Sequence, residues 1–274
     1  MMIYLKLGGS LITDKHRPAT VRADVLARLA GEIVAARAAR PDLRLIIGHG
    51  SGSFGHVEAQ KYGTRAGVAS PEAWRGFAAV SAAAARLNQI VTDALLAAGV
   101  PVLGLQPSAS ARCRDGVLIH LETGPIEAAL AHGLVPLIYG DVAFDEVRGG
   151  TIASTEELFA YLLPRLGGEY VLLVGEADGV YATFGGDVIP EITPANYAAI
   201  QAALRASEAI DVTGGMASKV AQMLALAQAQ PGLTVRIFSG RYPGLLTRVL
   251  LNPDLPVGTR ISGEGISTSG RPVV

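Results

Sequence analysis

The stretch Met2-Ile3-Tyr4-Leu5-Lys6-Leu7-Gly8-Gly9-Ser10-Leu11-Ile12-Thr13-Asp14-Lys15 decides how the rest of the sequence is read. Residues 2–7 form a short apolar run with one cation inside it, which is the pattern of a buried strand. A lysine there is costly unless an anion meets it. Gly8-Gly9 lets the backbone turn sharply and lets a ligand come close to the amides. Ser10 adds a hydroxyl, and Thr13-Asp14-Lys15 closes the stretch with a second cation. Ammonium groups and oriented N–H groups at the carboxyl end of a strand suit a phosphate. The same residues also fit a plainer account, in which Lys6 extends to the sheet end and Gly8-Gly9 is an ordinary turn.

Outward from this stretch the pattern repeats. Val25, Leu26, Leu29, Ile33 and Val34 mark one face of a helix over residues 22–39, with Arg22, Arg28, Glu32 and Arg37 mainly on the other. Leu43–Ile47 reads as a second strand, ending in the glycine-rich loop Gly48-His49-Gly50-Ser51-Gly52-Ser53-Phe54-Gly55-His56. Strand, glycine loop, helix, strand, glycine loop is the rhythm of a parallel sheet with ligands at the strand carboxyl ends.

Ser70-Pro71-Glu72 opens a long helix, with serine as N-cap, proline at the first helical position and an acid in the first turn. Gly99 stops it and Pro101 lies beyond. Strands are expected over 100–105 and 134–139, the latter ending in Gly140-Asp141, with a hairpin arm at 116–120 and a short β excursion over 142–151. Helices are expected over 125–132, 155–166, 193–206, 217–230 and 242–251. Tyr170–Val174 is a strand leading to Asp178-Gly179-Val180-Tyr181. The third glycine loop is Asp211-Val212-Thr213-Gly214-Gly215-Met216-Ala217-Ser218-Lys219, and strands follow at 233–238 and from Gly258. Gly167-Gly168 is the expected lobe boundary, dividing the chain into 1–167 and 168–274.

Composition bounds the function. Half of the 274 residues are hydrophobic, 17% are charged, and the formal net charge is -1. This argues against nucleic-acid binding by bulk electrostatics, although a local basic pocket is compatible with it. The single cysteine, Cys113, excludes an intrachain disulfide and a cysteine-based zinc site. No apolar run approaches the roughly 18 residues that span a bilayer. The sequence reads as that of a soluble cytoplasmic protein with no membrane partner.

None of the three glycine loops follows the P-loop or dinucleotide pattern. Each sits beside a cation: Lys6 and Lys15, then His56, then Lys219. Such an arrangement suits a polyphosphate plus a second anion, and phosphoryl transfer asks mainly for positioning and positive charge.

Lys6-Leu7-Gly8-Gly9-Ser10, the loop from Gly48 to His56, Asp178-Gly179-Val180-Tyr181 and Asp211 through Lys219 resemble the amino acid kinase superfamily. Within it the chain is similar to the isopentenyl phosphate kinase family, with the motifs in family order over nearly the whole length. The opening Lys-x-Gly-Gly-Ser is shared across the superfamily. The Gly-Ser-Phe-Gly-His ending of the second loop is more specific, and its histidine suits an acceptor that is itself a phosphate or phosphonate.

The resemblance implies a three-layer α/β/α sandwich with a mainly parallel central sheet. It implies an acceptor-binding, dimerising N-terminal lobe and an ATP-binding C-terminal lobe. The implied reaction phosphorylates isopentenyl phosphate to isopentenyl diphosphate, for isoprenoid synthesis by an alternative mevalonate route. The catalytic set would be Lys6, Lys15, His56 and Lys219. ATP would meet Lys6, Gly8, Gly9, Ser10, Ser51, Asp178, Tyr181, Gly214, Gly215 and Lys219. The acceptor would meet Gly50, Gly55, His56, Gly140 and Asp141, with Phe77, Val80 and Ala84 walling its apolar tail. Magnesium would come with the nucleotide, since no metal-ligand spacing is present.

Two features depart from the family pattern. Gly50-Ser51-Gly52 stands where three consecutive glycines are common, and Ala153-Ser154-Thr155-Glu156-Glu157 stands where Ser-Gly-Asp-Asp is common. Glu156 and Glu157 receive no role from the sequence, and His49 reads as a brace of its loop. A phosphonate kinase acting on fosfomycin, and a catalytically silent metabolite sensor on the same fold, are the alternatives.

Overall fold

The computed structural model describes residues 1–182, 186–208 and 215–263, without the side chains of 56, 57 and 205–208. In chain order the strands are β1 (Met2–Leu7), β2 (Arg44–His49), β3 (Val102–Gly104), β4 (Arg112–Arg114), β5 (Val117–His120) and β6 (Val135–Tyr139). They continue as β7 (Asp141–Asp145), β8 (Gly149–Ala153), β9 (Tyr170–Gly175), β10 (Glu191–Ile192), β11 (Thr234–Ser239) and β12 (Thr259–Ser262). The helices are α1 (Gly9–Ile12), α2 (Ala23–Ala39), α3 (Gly52–Tyr62), α4 (Pro71–Ala98) and α5 (Gly124–Ala131). After them come α6 (Thr155–Leu166), α7 (Pro194–Glu208), α8 (Gly215–Ala229) and α9 (Leu245–Leu251).

Among the described residues one sheet of eight strands runs β10-β12-β11-β9-β1-β2-β6-β3, and a smaller one runs β5-β4-β7-β8. From β11 to β3 every pairing in the large sheet is parallel; β12 runs antiparallel to β11. Strand β1 is the pivot. The chain first adds β2, β6 and β3 on one side of it, then returns to add β9 and β11 on the other. The order therefore reverses at β1, and the strand carboxyl ends there flank the crevice where open α/β sheets take their ligands.

Alternation along β1 assigns its neighbours. Ile3, Leu5 and Leu7 join a core with α2, α9 and the C-terminal half of α4. Met2 and Tyr4 face the opposite core, built with α5, α6, α7 and α8. Helices thus cover both faces, and a parallel sheet needs that cover to stay dry. Lys6 belongs to the same alternate set as Tyr4, so the pleat directs it toward the side of α6.

Long helix α4 begins at the sequence signal. Ser70 Oγ accepts the Ala73 N–H at 3.1 Å, Pro71 is its first residue, and Gly99 closes it in the left-handed region at φ 100°. The second glycine-rich stretch differs from its reading as a loop through His56. It turns helical at Gly52, so residue 56 lies in the second turn of α3. The first glycine stretch likewise closes into α1 immediately after Gly8. Glycine content hides both helices in the sequence, because the penalty for glycine in a helix is offset here by tertiary contacts.

Candidate active site

Lys6 is the penultimate residue of β1, and its ammonium donates to the Glu156 carboxylate. Glu156 owes its position to a capping box. Ser154 Oγ accepts the Glu157 N–H at 3.2 Å, and the Glu157 carboxylate accepts the Ser154 N–H at 2.5 Å. That box starts α6 at Thr155 and fixes Glu156 in its first turn, pointing inward and 5% exposed. Burial alone would raise the Glu156 pKa, but the charges of Lys6 and Lys219 outweigh it and hold the carboxyl below its ordinary range. Lys219, on α8, is half-buried. Burial lowers its pKa, Glu156 opposes that shift, and Lys6 adds to it. Two lysines and one carboxylate from three elements thus share one buried neighbourhood.

The first two glycine stretches lie against each other. A Cβ on Gly9 would fall 2.5 Å from the Gly52 nitrogen, so only glycine lets these backbones meet. Gly52 itself has φ 49°. The buried Thr13 hydroxyl ties the pair, donating to the Gly9 carbonyl at 2.7 Å and accepting the Ser53 N–H at 3.0 Å. Gly8 donates to Val174 O at 2.7 Å and Gly50 to Leu7 O at 3.3 Å, which extends the parallel pairing beyond the strand ends. The N–H groups of Gly9, Ser10 and Ser51 have no acceptor among the described residues. Orphan amides beside an ammonium group make an anion cradle.

On the β6 side, Gly140 donates to the His49 carbonyl at 3.2 Å. Asp141 is 1% exposed and its carboxylate turns inward. It accepts N–H groups from Ser108 at 3.2 Å and Val142 at 2.8 Å, so it holds the 3-10 turn Pro107–Ala109 beside the sheet end. Burial raises its pKa, and those hydrogen bonds act against the shift.

On the β9 side, Tyr181 donates to Asp178 Oδ2 at 3.2 Å, and Arg241 donates to Oδ1 at 3.2 Å. Burial would raise the Asp178 pKa, but hydrogen bonds from Arg241, Tyr242 and Tyr181 lower it. The Arg22–Glu176 ion pair, at 2.5 Å, joins the start of α2 to the loop after β9. Gly215 begins α8. Lys15 is exposed and makes no ion pair among the described residues. Gly214 and the side chain of His56 lie outside the described residues.

Phe77 and Val80 pack with Val68 and Val142 in a small apolar cluster of their own, flanked by Ala59 of α3 and Ile152 of β8. Ala84, one turn further along α4, is buried as well. The trio Phe77, Trp74 and Phe144 closes the outer side, with ring centroids 5.2 to 5.9 Å apart. Helix α3 links the two regions, its first turn at the glycine cradle and its third at the apolar cluster.

Glu156 and Thr13, which tie the cradle together, have no role in the sequence reading. Glu156 carries one signal there, the Ser154-x-x-Glu157 box that places it in a first turn; its lysine partners are remote in sequence. Thr13 carries none, because its bonds run to two different loops. Among the described residues no group of three or more His, Cys, Asp or Glu comes together to hold a metal. Nor is any helix long and apolar enough to cross a membrane.

A profile of the Amino acid kinase family matches residues 1–239. The isopentenyl phosphate kinase of Methanothermobacter thermautotrophicus is 37% identical, over 96% of this chain and 100% of the relative. That of Haloferax volcanii is 40% identical, over 90% and 98%. A solved isopentenyl phosphate kinase structure superposes with a TM-score of 0.80 at 33% identity, covering 96% of this chain and 100% of its own. The chain belongs to the amino acid kinase family, on its isopentenyl phosphate kinase branch.

Proposed function

We propose that the chain transfers the γ-phosphoryl group of ATP to the phosphate of isopentenyl phosphate, giving ADP and isopentenyl diphosphate for isoprenoid synthesis. The observation that carries this reading is the adjacency built by α3. An amide-lined, lysine-bearing cradle stands at its start and a closed apolar cluster at its third turn. A small molecule with an anionic head and a short branched hydrocarbon tail fits that pair of environments.

The chemistry follows from charge. Both reactants are anions, so repulsion between them is the chief obstacle. Lys6, Lys219, Lys15 and His56 are the groups we assign to offset it, with Lys6 on the migrating phosphoryl. Gly9 and Ser10 give N–H and hydroxyl groups to the nucleotide's phosphate oxygens beside Gly8, whose own N–H is taken by the Val174 carbonyl. The Ser51 N–H, expected with ATP, we assign to the acceptor phosphate instead, because it shares the loop of Gly50 and Gly55. Gly50 and Gly55 let the loop pack closely against Gly9 and the Ser51 side chain, and we assign the acceptor phosphate to this loop and Gly140, with Asp141 holding the adjoining turn. Asp178, Tyr181 and Gly215 we assign to the nucleotide, together with Gly214 on the strength of its motif. A phosphate monoester loses its second proton near pH 6, at about physiological acidity, so no general base is needed. Magnesium enters with ATP and neutralises part of its charge; no carboxylate cluster among the described residues offers it a separate cage.

We assign acceptor binding to residues 1–167 and nucleotide binding to 168–274. The sheet order supports this division, with β2, β6 and β3 on one side of β1 and β9 to β12 on the other. We also propose a homodimer through α4 and edge strand β3. Exposed Ile90, Leu96, Leu103 and Leu134 support it, at 38%, 50%, 39% and 36% exposure.

The test is ADP release with isopentenyl phosphate, dimethylallyl phosphate, fosfomycin and acetylglutamate as acceptors. Selective turnover of isopentenyl phosphate is expected. Preference for fosfomycin or acetylglutamate overturns the assignment.

A further inference from the structure

His49, the last residue of β2, is fully buried at the root of the second glycine stretch. Its Nδ1 lies 3.1 Å from the Gly50 carbonyl oxygen, and its Nε2 lies 3.1 Å from Asn88 Oδ1 on α4. The ring stacks on Tyr139 with centroids 5.5 Å apart and planes 9° from parallel. Its own carbonyl accepts the Thr155 hydroxyl at 2.7 Å and the Gly140 N–H at 3.2 Å. One residue therefore gathers contacts from the start of α6, the end of β6, the middle of α4 and the peptide that follows it.

The contact to Gly50 has a geometric consequence. A peptide unit is planar and trans, so its C=O and the next N–H point in opposite directions. A Gly50 carbonyl drawn toward a buried imidazole sends the Ser51 N–H away from the core, and that N–H has no acceptor among the described residues. The Asn88 contact sets the same ring against the helix that carries Phe77, Val80 and Ala84.

We propose that His49 is a positioning residue for the acceptor: it turns the Ser51 N–H toward the acceptor phosphate and sets the height of that cradle against the tail-binding face of α4. The inference rests on the phosphate-acceptor reading above. Burial lowers the ring's pKa and the nearby Lys6 charge adds to it, against the hydrogen bonds to Gly50 and Asn88, and the net effect favours the neutral form. Its one N–H, on Nδ1, then donates to the Gly50 carbonyl, and Nε2 accepts from the Asn88 side-chain amide turned to present its NH2. A neutral ring holds the loop without competing with the lysines for the anion.

The two ring nitrogens can be tested separately. An asparagine nitrogen stands at the reach of Nδ1, so His49→Asn keeps the bond to Gly50 and loses the one to Asn88. A glutamine nitrogen stands at the reach of Nε2, so His49→Gln does the reverse. Steady-state kinetics should give His49→Asn a KM for isopentenyl phosphate within about threefold of wild type. His49→Gln should raise it about tenfold or more, the scale of a lost hydrogen bond in a polar site. Both should keep KM for ATP within about twofold. Asn88→Ala, on a half-buried helix position, removes the same contact that His49→Asn loses and should likewise keep the acceptor KM within about threefold. Equal damage in His49→Asn and His49→Gln, or acceptor and ATP KM rising together, overturns the proposal, because a brace of general packing would not tell the two nitrogens apart. If wild type does not turn over isopentenyl phosphate, the functional reading falls by itself. Calorimetric binding of inorganic phosphate to the same variants then decides the positioning role, with His49→Gln again the weaker binder.

Discussion

Lys6 and Glu156, 150 positions apart in sequence, meet as a buried ion pair at the carboxyl end of the central strand. The lysine that the sequence offers for a phosphate is thus paired with a carboxylate. Its partner stands at the start of a helix, where a negative charge is favoured, and within the field of a second lysine, Lys219. Removing one member of such a pair leaves the other buried and uncompensated, at about 3–5 kcal/mol when the burial is complete. Lys6 therefore serves both fold and chemistry, and its variants must be read with both in mind.

Lys6→Ala is expected to lower kcat by about 10²–10³ while leaving KM for ATP within a few-fold, since the charge it meets develops mainly in transfer. It should also lower the melting temperature. Lys6→Met combined with Glu156→Gln should regain much of that stability and none of the activity. A double variant that regained activity would remove Lys6 from the chemistry. A collapse of ATP affinity with kcat intact would make it an anchor for the nucleotide ground state.

The depressed Glu156 pKa gives a sign for acid stability. A carboxyl whose folded-state pKa lies below its unfolded value contributes stability above the unfolded value and loses it as pH falls through the folded one. With an ordinary glutamate at 4.5, that contribution is complete at neutral pH and declines below about pH 4.5. Thermal melts from pH 7 down to pH 3 should fall more steeply for wild type than for Glu156→Gln, and the two curves should converge in acid. Parallel curves would show that the pair does not stabilise the fold.

Local signals account for what was legible in the sequence. Helix α4 starts and stops as read because Ser70, Pro71, Glu72 and Gly99 act within one turn of where they stand. Helix α6 matches its expected span of 155–166 because the Ser154 capping box is equally local. The strand carrying Lys6 and the glycine cradle were legible for the same reason. What depended on distant partners was not. The turn of Gly52 into α3 is held by Thr13, and Glu156 has meaning only once β1 and α6 are side by side. Asp141 illustrates the limit from the other side. Its motif was visible, but only the fold reveals that the carboxylate is occupied by Ser108 and Val142.

Acceptor and nucleotide sites should separate under substitution of the apolar cluster. A Cβ on Gly150 would fall 2.8 Å from the Phe77 ring and 3.0 Å from Val68. Gly150→Ala should displace Phe77 and cost about 1–3 kcal/mol of stability by overpacking. Its KM for isopentenyl phosphate should rise while KM for ATP stays put, and Ala84→Leu should show the same split. Equal loss of both affinities in either variant would mark these residues as plain core.

His56 carries the last and most specific expectation. Residue 56 stands one turn beyond Gly52 in α3, near the helix start, whose dipole favours an anion. A hydrogen bond from its imidazole to a charged acceptor phosphate would contribute about 1.5–3 kcal/mol. His56→Ala should therefore lose roughly ten- to a hundred-fold in kcat/KM for isopentenyl phosphate. Glutamine keeps a donor of similar reach, so His56→Gln should recover part of that loss, whereas a purely packing role would leave the two variants alike. A melting temperature within about a degree or two of wild type in both variants would show that the loss is one of recognition and not of folding. Full kcat/KM in His56→Ala would remove the histidine from acceptor recognition and leave Lys6, Lys219 and the loop amides to hold the acceptor phosphate.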